Sequence, residues 1–147
     1  LIIAVNKWDL IKKKSYTMKQ YVQNINTSYK ATENYPIIFT SILENQRVWK
    51  ILESAISVYD GWRSKIKTSE LNNLIQKVVN QKTPPAIKGK YLKIKYATQV
   101  HNSPPIFALF TNYPDLFPVA YARYLENQIR IKFGFTGVPI KISFRQK

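Results

Sequence analysis

Short apolar runs alternate with stretches of helical periodicity in residues 1–62. The run Leu1–Val5 is unbroken and largely β-branched, which is typical of a parallel strand covered on both faces. A second run spans residues 35–39. Two stretches of helical spacing complete the pattern: Met18, Val22, Ile25 and Tyr29, opened by Ser15, and then Val48, Leu52, Ala55, Ile56 and Tyr59 within residues 46–62. The order β-α-β-α predicts the end of a parallel α/β domain whose helices pack through these stripes.

The next part of the chain begins with a predicted helix and a predicted hairpin. Thr68 or Ser69 is expected to cap a helix that runs to about Gln81, because apolar residues at 71, 74, 75, 78 and 79 share one face. Strict alternation over residues 91–96 predicts a half-buried strand. Its predicted faces are Leu92, Ile94 and Tyr96 on one side and Tyr91, Lys93 and Lys95 on the other. A second strand at 106–111 is predicted to pair with it through a turn at 101–105.

A helix and a strand complete this part. Pro118 is predicted to begin the helix, and Gly134 to end it, because glycine adopts the left-handed conformation without steric cost. Ile140, Ile142 and Phe144 then alternate with Lys141, Ser143 and Arg145, as in a strand with one buried face. The predicted order of the second part is α-β-β-α-β.

Composition excludes several classes of function. The 147 residues are 45% hydrophobic and 14% aromatic, which is enough for packed cores. The chain has no cysteine and a single histidine, His101, which excludes disulfides, thiolate metal sites and histidine clusters. No apolar stretch approaches the roughly 18 residues of a membrane span. We expect a cytoplasmic protein without a stable membrane association.

Basic residues dominate the charge. The chain has 23 Lys and Arg against 8 Asp and Glu, a net charge of +15, and a pI near 10.0. Such a surface attracts phosphate polyanions, with nucleic acid the first candidate and an anionic membrane the second. The net charge is +5 over residues 1–66 and +10 over residues 67–147. Charge and pattern together predict a division of the chain near residues 63–68.

The tetrapeptide Asn6-Lys7-Trp8-Asp9 directly follows the first apolar run. It therefore lies at the carboxyl end of a predicted parallel strand, where such sheets bind ligands. The Asp9 carboxylate has two acceptor oxygens that can bond the ring N–H and the exocyclic amine of guanine, whereas adenine offers no donor at its ring nitrogen. Asn6 can bond the other base edge or tie neighbouring loops, and the Lys7 stem can lie along the base. The tetrapeptide predicts guanine recognition, against the simpler interpretation of a polar strand end.

A loop that cradles phosphates is missing from the sequence. Such a loop needs Gly-x-x-x-x-Gly-Lys followed by Ser or Thr, and no pair of the four glycines has that spacing. The chain also opens inside an apparent strand. We therefore expect a carboxyl-terminal piece of a longer protein that neither binds GTP well nor hydrolyses it alone.

Ordered matches along the whole chain resemble the carboxyl-terminal third of the Der (EngA) family, bacterial GTPases with two tandem G domains and a final KH-like domain. The matching residues are Asn6–Asp9; Gln46–Val48; Tyr59, Asp60 and Trp62; Thr68, Ser69 and Leu71; Pro84 and Pro85; Lys93–Gln99; Pro104 and Pro105; Phe117, Pro118 and Tyr121; Arg123–Asn127; and Gly137–Ile140. The resemblance implies the end of a P-loop-type G domain at 1–65 and an α+β KH-like domain at 66–147.

The resemblance also implies a nucleotide and its contacts. Asn6, Lys7 and Asp9 would form the guanine-specificity motif for GTP or GDP, with magnesium bound in the complete protein by groups outside this chain. A Ser-Ala pair of the family, whose backbone N–H groups help to hold the guanine oxygen, falls on Ser41-Ile42. Ile42 replaces Ala, and Asn45 stands where the family often has Gly, so weaker nucleotide affinity is one expectation.

Ribosomal partners are a further implication of the resemblance, since the family acts in maturation of the large ribosomal subunit. This implies rRNA or ribosomal protein as the partner, together with intramolecular docking on the G domains. The chemistry favours an RNA-facing surface at Tyr91, Lys93, Lys95, Lys141 and Arg145, because cations neutralise phosphates. The alternative is a solvated sheet face, or one that docks on a G domain. A standard KH clamp on the nucleic-acid backbone is not expected.

Two classes of function remain open. In the first, the chain is part of an RNA-associated GTPase whose nucleotide state changes domain docking. In the second, it is a basic binding module, decayed or split, without nucleotide chemistry. The missing phosphate loop and Ile42 favour the second class, whereas the guanine motif favours the first.

Overall fold

The computed structural model describes residues 1–12 and 17–146, and the chain forms two compact units within it. The first comprises Leu1–Asp60 with Thr136–Val138, and the second comprises Gly61–Phe135 with Pro139–Lys147. The domain boundary at 65/66 stays a prediction. Ser15, which is predicted to open the first helix, lies outside the described residues. Within the described ranges, no helix is long and apolar enough to cross a membrane.

The first unit has the predicted order β-α-β-α. Its elements are β1 (Ile3–Val5), α1 (Thr17–Ser28), β2 (Ile37–Phe39) and α2 (Val48–Arg63), the last of which continues into the second unit. β1 and β2 pair in parallel, with Ile3 opposite Ile37 and Val5 opposite Phe39. The parallel α/β prediction is therefore confirmed. Because both strands run the same way, the loops that follow them lie at one edge of the sheet.

The apolar stripe predicted for α2 is exposed, so its expected burial is wrong. Leu52, Ile56 and Tyr59 are 52%, 64% and 51% exposed, whereas Ile51 and Val58 on another side of the helix are half-buried. The described part of this sheet has two strands. Two strands are too narrow to cover all the apolar positions of a 16-residue helix.

The second unit has the predicted order α-β-β-α-β. Its elements are α3 (Thr68–Gln81), β3 (Ile94–Asn102), β4 (Pro105–Thr111), α4 (Val119–Phe133) and β5 (Lys141–Gln146). The sheet order is β3-β4-β5, with an antiparallel β3-β4 hairpin, as predicted, and β5 parallel to β4. The central position of β4 explains why it is the most buried strand. Gly134 ends α4 with φ 72°, as its sequence position predicts.

One face of this sheet carries the core of the second unit. Ala97, Phe107 and Leu109 are fully buried on it, and the Phe107 ring lies 5.8 Å from the Phe135 ring. Leu71, Ile75 and Val78 of α3 and Leu125 and Ile129 of α4 are also buried, in agreement with their helical spacing. Helices α3 and α4 therefore cover one face of the sheet.

Two local predictions for this unit are wrong. The cap position of α3 is occupied by Lys67, not by Thr68 or Ser69, and no side chain caps the helix. The first hydrogen bond of the helix runs from the Leu71 N–H to the Lys67 carbonyl, which places Thr68 and Ser69 inside the first turn. The first predicted strand also starts later, since Tyr91 and Lys93 precede β3. The Asn112 side chain holds this segment by donating to the Tyr91 carbonyl and accepting from the Lys93 N–H.

A β-bulge near the start of β3 moves Tyr96 to the face opposite the predicted one. Ile94 pairs with Thr111 and Tyr96 pairs with Phe110, so the intervening Lys95 has no register partner on β4. An extra residue reverses the alternation of side chains beyond it. Tyr96 is therefore 41% exposed instead of facing the core with Leu92 and Ile94.

Candidate guanine and RNA sites

The loop after β1 is shaped by one inward side chain. Trp8 is 2% exposed and packs against Phe39 at 4.3 Å and Tyr21 at 5.2 Å between ring centroids. Its backbone N–H donates to the Thr40 carbonyl at 3.0 Å. Lys7 has φ 58°, uncommon for a residue with a side chain, and begins the short 3-10 turn Trp8–Leu10. With Trp8 anchored inward, Asn6 and Lys7 are exposed and Asp9 is half-buried.

The loop after β2 closes on itself. Ser41 and Gln46 exchange backbone hydrogen bonds at 3.2 and 2.8 Å, and the Ser41 Oγ atom accepts from the Glu44 N–H at 3.1 Å. Asn45 has φ 51°, a conformation that glycine adopts most easily and asparagine tolerates. Ile42 is presented outward at 67% exposure.

The two loops form one cavity of about 260 Å³ at the carboxyl ends of the strands. Its lining residues are Asn6, Lys7, Asp9, Leu10, Ile42 and Leu43. Four of the five residues predicted for the base site therefore line a common cavity. Ser41, the fifth, is fully buried and does not line it. The Ile42 N–H donates to the Asn6 Oδ1 atom at 3.3 Å, so Asn6 also ties the loops together.

Sequence reasoning missed residues that support or complete this cavity. Trp8 was part of the motif but had no assigned role. Arg47, with φ 56°, donates through Nε to the Phe39 carbonyl at 2.7 Å and holds the end of β2. Leu10 and Leu43, 73% and 89% exposed, add apolar surface to the rim. Their exposure depends on loop geometry, and neither has a sequence signal beyond being next to a motif residue.

The five predicted RNA-facing side chains are exposed, but they lie in two places. Lys141 and Arg145 lie on β5, and Lys95 is the bulge residue of β3, with β4 between the two strands. Tyr91 and Lys93 lie in the segment before β3. The structure therefore does not bring all five together, and the predicted shared strand face of Tyr91, Lys93 and Lys95 is wrong.

A Gly-x-x-Gly sequence does occur at Gly134-Phe135-Thr136-Gly137. The Phe135 side chain is fully buried, and its carbonyl accepts from the Arg130 Nη1 atom at 2.6 Å. Gly137 is also buried, and its N–H donates to the Asn34 carbonyl at 2.7 Å. A backbone clamp on nucleic acid needs an accessible loop. Here the sequence ends α4, with Gly134 and Thr136 exposed and Phe135 and Gly137 buried, so it is not a fully open loop.

A polar loop and a cavity at the carboxyl ends of parallel strands are features of ligand-binding α/β proteins. Here that fold is followed by an α-β-β-α-β unit. Residues 65–145 match the family model described as the KH-domain-like of EngA bacterial GTPase enzymes, C-terminal. The chain belongs to the EngA family.

Curated relatives match over the whole chain. GTPase Der from Christiangramia forsetii is 43% identical over 147 residues, and those from Amoebophilus asiaticus and Halothermothrix orenii are 42% and 43% identical. The match covers 100% of this chain and 34% of each relative, so the chain spans about a third of their length. A crystal structure of Aquifex aeolicus Era bound to GDP and AlF4⁻ is similar at a TM-score of 0.34 and 10% identity, covering 99% of this chain and 55% of that one.

Proposed function

We propose that this chain supplies the guanine-recognition loop and an RNA-facing KH-like domain to a cytoplasmic GTPase that acts in biogenesis of the large ribosomal subunit. Residues 1–65 are the end of a G domain and residues 66–147 the KH-like domain. The complete protein binds GTP or GDP, and its partners are rRNA, the large subunit and its own G domains. The family resemblance supports the ribosomal role.

The observation that carries the nucleotide proposal is the cavity lined by Asp9, Asn6, Lys7 and Ile42. Its volume of about 260 Å³ is below the roughly 300–1,000 Å³ of pockets that hold drug-sized ligands. It therefore suits a base, with the phosphates held by groups elsewhere. The Asp9 carboxylate accepts from the guanine ring N–H and exocyclic amine, while the Lys7 stem and Ile42 supply apolar contact.

No phosphate step is assigned to residues 1–147. Among the described residues there is no cluster of three or more His, Cys, Asp or Glu side chains able to hold a metal ion. Magnesium, which the resemblance implies for the complete protein, would be held by groups outside this chain. Hydrolysis belongs to the longer protein, and base selection belongs here.

A hybrid protein tests base selection. Residues 1–147 replace the matching third of GTPase Der from Christiangramia forsetii, and Asp9→Asn is compared with Asp60→Asn, an exposed aspartate of α2. An amide donates to the extra carbonyl of xanthine but no longer accepts both guanine donors. Asp9→Asn should lower guanine nucleotide affinity by about one to two decades for each lost bond and favour XTP. Unchanged GTP over XTP selectivity would remove Asp9 from the base site.

RNA association rests on charge, and its test uses the 147-residue chain. Binding to ribosomal RNA should weaken steeply with salt, because phosphate contacts release counterions. Replacing Lys93, Lys95, Lys141 and Arg145 by Gln should weaken it further. The matched control replaces four exposed lysines of the first unit, Lys12, Lys19, Lys30 and Lys50, with the same loss of charge. A flat salt response would indicate protein docking instead.

The second candidate is a basic binding module without nucleotide chemistry. The absence of a phosphate-loop sequence from residues 1–147 favours it. The coding sequence before Leu1 separates the two proposals. An intact phosphate loop upstream supports the GTPase, and a start codon immediately before Leu1 supports the module.

A further inference from the structure

The face of the second sheet opposite α3 and α4 carries a row of three large side chains. Tyr96 pairs with Phe110 and Phe110 pairs with Arg145, so the row crosses β3, β4 and β5. Residues paired across strands share a face. The Tyr96 and Phe110 rings lie 5.9 Å apart between centroids with a tilt of 37°. We call this surface the Tyr96 face.

Small side chains lie beside the aromatic pair. The next row along the strands is Thr98, Ala108 and Ser143, which leaves the rings and Arg145 as the tallest groups. Tyr96 is 41% exposed and Arg145 is exposed, whereas Phe110 between them is half-buried and Ala108 in the next row is fully buried. Tyr96 and Arg145 are therefore the most accessible groups of the row.

Cations border the same face. Lys141 and Arg145 are exposed and lie on one side of β5, four residues and roughly 13 Å apart at the usual rise of a strand. Lys95, the bulge residue, is exposed next to Tyr96. An exposed ring beside a half-buried one, with cations at their edge, fits a polyanion whose charged groups alternate with flat aromatic groups.

We propose that the Tyr96 face binds single-stranded RNA, with bases stacked on Tyr96 and Phe110 and phosphates held by Arg145 and Lys141. The proposal rests on the RNA association proposed above and names its mode. Proteins that read single strands stack successive bases on aromatic side chains of an open sheet. Paired bases in an RNA helix have no free face to offer, so a double strand gains only the charge contacts.

The bulge at Lys95 makes this surface possible. Without the extra residue, the alternation of β3 would direct Tyr96 toward the helices, as its sequence pattern predicts. With it, Tyr96 reaches the face on which Phe110 lies. The surface is thus a product of strand register.

The test measures affinity of the 147-residue chain for a short fluorescent single-stranded RNA and for the same strand annealed to its complement. Tyr96→Leu keeps apolar bulk but removes the ring, and Tyr29→Leu is the matched control, because Tyr29 is 67% exposed and lies in the first unit. Tyr96→Leu should weaken single-strand binding about five- to a hundredfold. Tyr29→Leu should change single-strand binding little, and double-strand binding should change little with either variant.

Further variants separate stacking from charge. Arg145→Gln should lower the affinity for RNA and reduce its salt dependence. The control is Lys88→Gln, at an exposed loop position. Phe110→Leu should act like Tyr96→Leu, and if it unfolds the protein, Tyr96→Leu still decides. Ultraviolet crosslinking of bound single strand should yield an adduct at Tyr96 or Phe110.

Each other outcome overturns a defined claim. RNA binding that is equal for single and double strands, or equally affected by Tyr96→Leu and Tyr29→Leu, overturns the stacking face and leaves the RNA association. Competition by poly-glutamate as strong as by RNA identifies an acidic protein surface as the partner of this face. An absence of RNA binding overturns both proposals.

Discussion

The backbone N–H of Ile42 donates to the Asn6 Oδ1 atom over 3.3 Å, which joins two loops that are 36 residues apart in sequence. Each loop is also anchored to its own strand: Trp8 N–H donates to the Thr40 carbonyl, and Arg47 Nε donates to the Phe39 carbonyl. The proposed base cavity therefore depends on bonds between loops as well as on Asp9.

Removing the link between the loops should loosen the second one. Asn6→Ala deletes the acceptor, so the Ile42 amide should exchange with solvent about two- to tenfold faster, as expected for one hydrogen bond of about 0.5–1.5 kcal/mol. Amide exchange measured by NMR on the nucleotide-free chain checks this. Asn24→Ala, at an exposed position of α1, is the control. Unchanged exchange at Ile42 would show that the loop holds its shape without Asn6.

The left-handed backbone of Asn45 should decide which residues the base loop accepts. Asn45→Gly should keep the free energy of unfolding within about 0.5 kcal/mol, whereas Asn45→Val should lower it by about 1–2 kcal/mol, because a β-branched residue resists positive φ. Urea unfolding gives the values. Asn73→Val at an exposed position of α3 is the control, since asparagine and valine have similar helix propensity. Equal effects at both positions would contradict the strain argument.

The Asn72 side chain of α3 hydrogen-bonds the backbone of the edge strand β3 at Ala97. Its amide donates to the Ala97 carbonyl at 2.8 Å and accepts from the Ala97 N–H at 2.9 Å. Asn72→Ala should destabilise the chain by about 1–3 kcal/mol, because both buried backbone groups lose their partner. Asn73→Ala is matched in chemistry and in helix propensity but is exposed, so the difference between the two free energies of unfolding isolates the bonds. A difference near zero would mean that water replaces Asn72.

Alkaline pH should destabilise the second unit through Tyr121. Burial, and secondarily the neighbouring Tyr124, raises the pKa of Tyr121 from 10.0 to about 12. As pH rises from about 10 to 12, the unfolded chain loses this proton while the folded chain keeps it, so stability falls in that range.

Tyr121→Phe tests this linkage. The variant should be less stable at neutral pH, because it loses the bond from the Tyr121 hydroxyl to the Lys82 carbonyl at 2.7 Å. The gap from the parent chain should narrow between pH 10 and 12 in urea unfolding. Tyr91→Phe, at an exposed tyrosine, should show a constant gap. A constant gap for Tyr121→Phe as well would assign the alkaline sensitivity to other groups.

Hydrophobic periodicity predicted the order of all nine strands and helices named here. Where one side of an element is buried, apolar residues recur about every 3.6 residues in a helix and every 2 residues in a strand. It also placed Asp9 correctly after a parallel strand. It failed for the stripe of Leu52, Ile56 and Tyr59, since periodicity marks an apolar side but not what covers it. The cap prediction also failed, because Thr68 is a residue type that often caps helices but here lies in the first turn of α3.

By itself, the sequence determined the two fold patterns, the basic charge and the residue types that suit guanine and phosphate, because these follow from local chemistry and spacing. Only the tertiary structure decided that Asn6 and Ile42 meet, that Ser41 turns away from the cavity, and that Tyr96 joins Phe110 and Arg145. Those outcomes depend on strand register and on one bulge. A single inserted residue reverses every side chain after it, and no local pattern in β3 records that insertion.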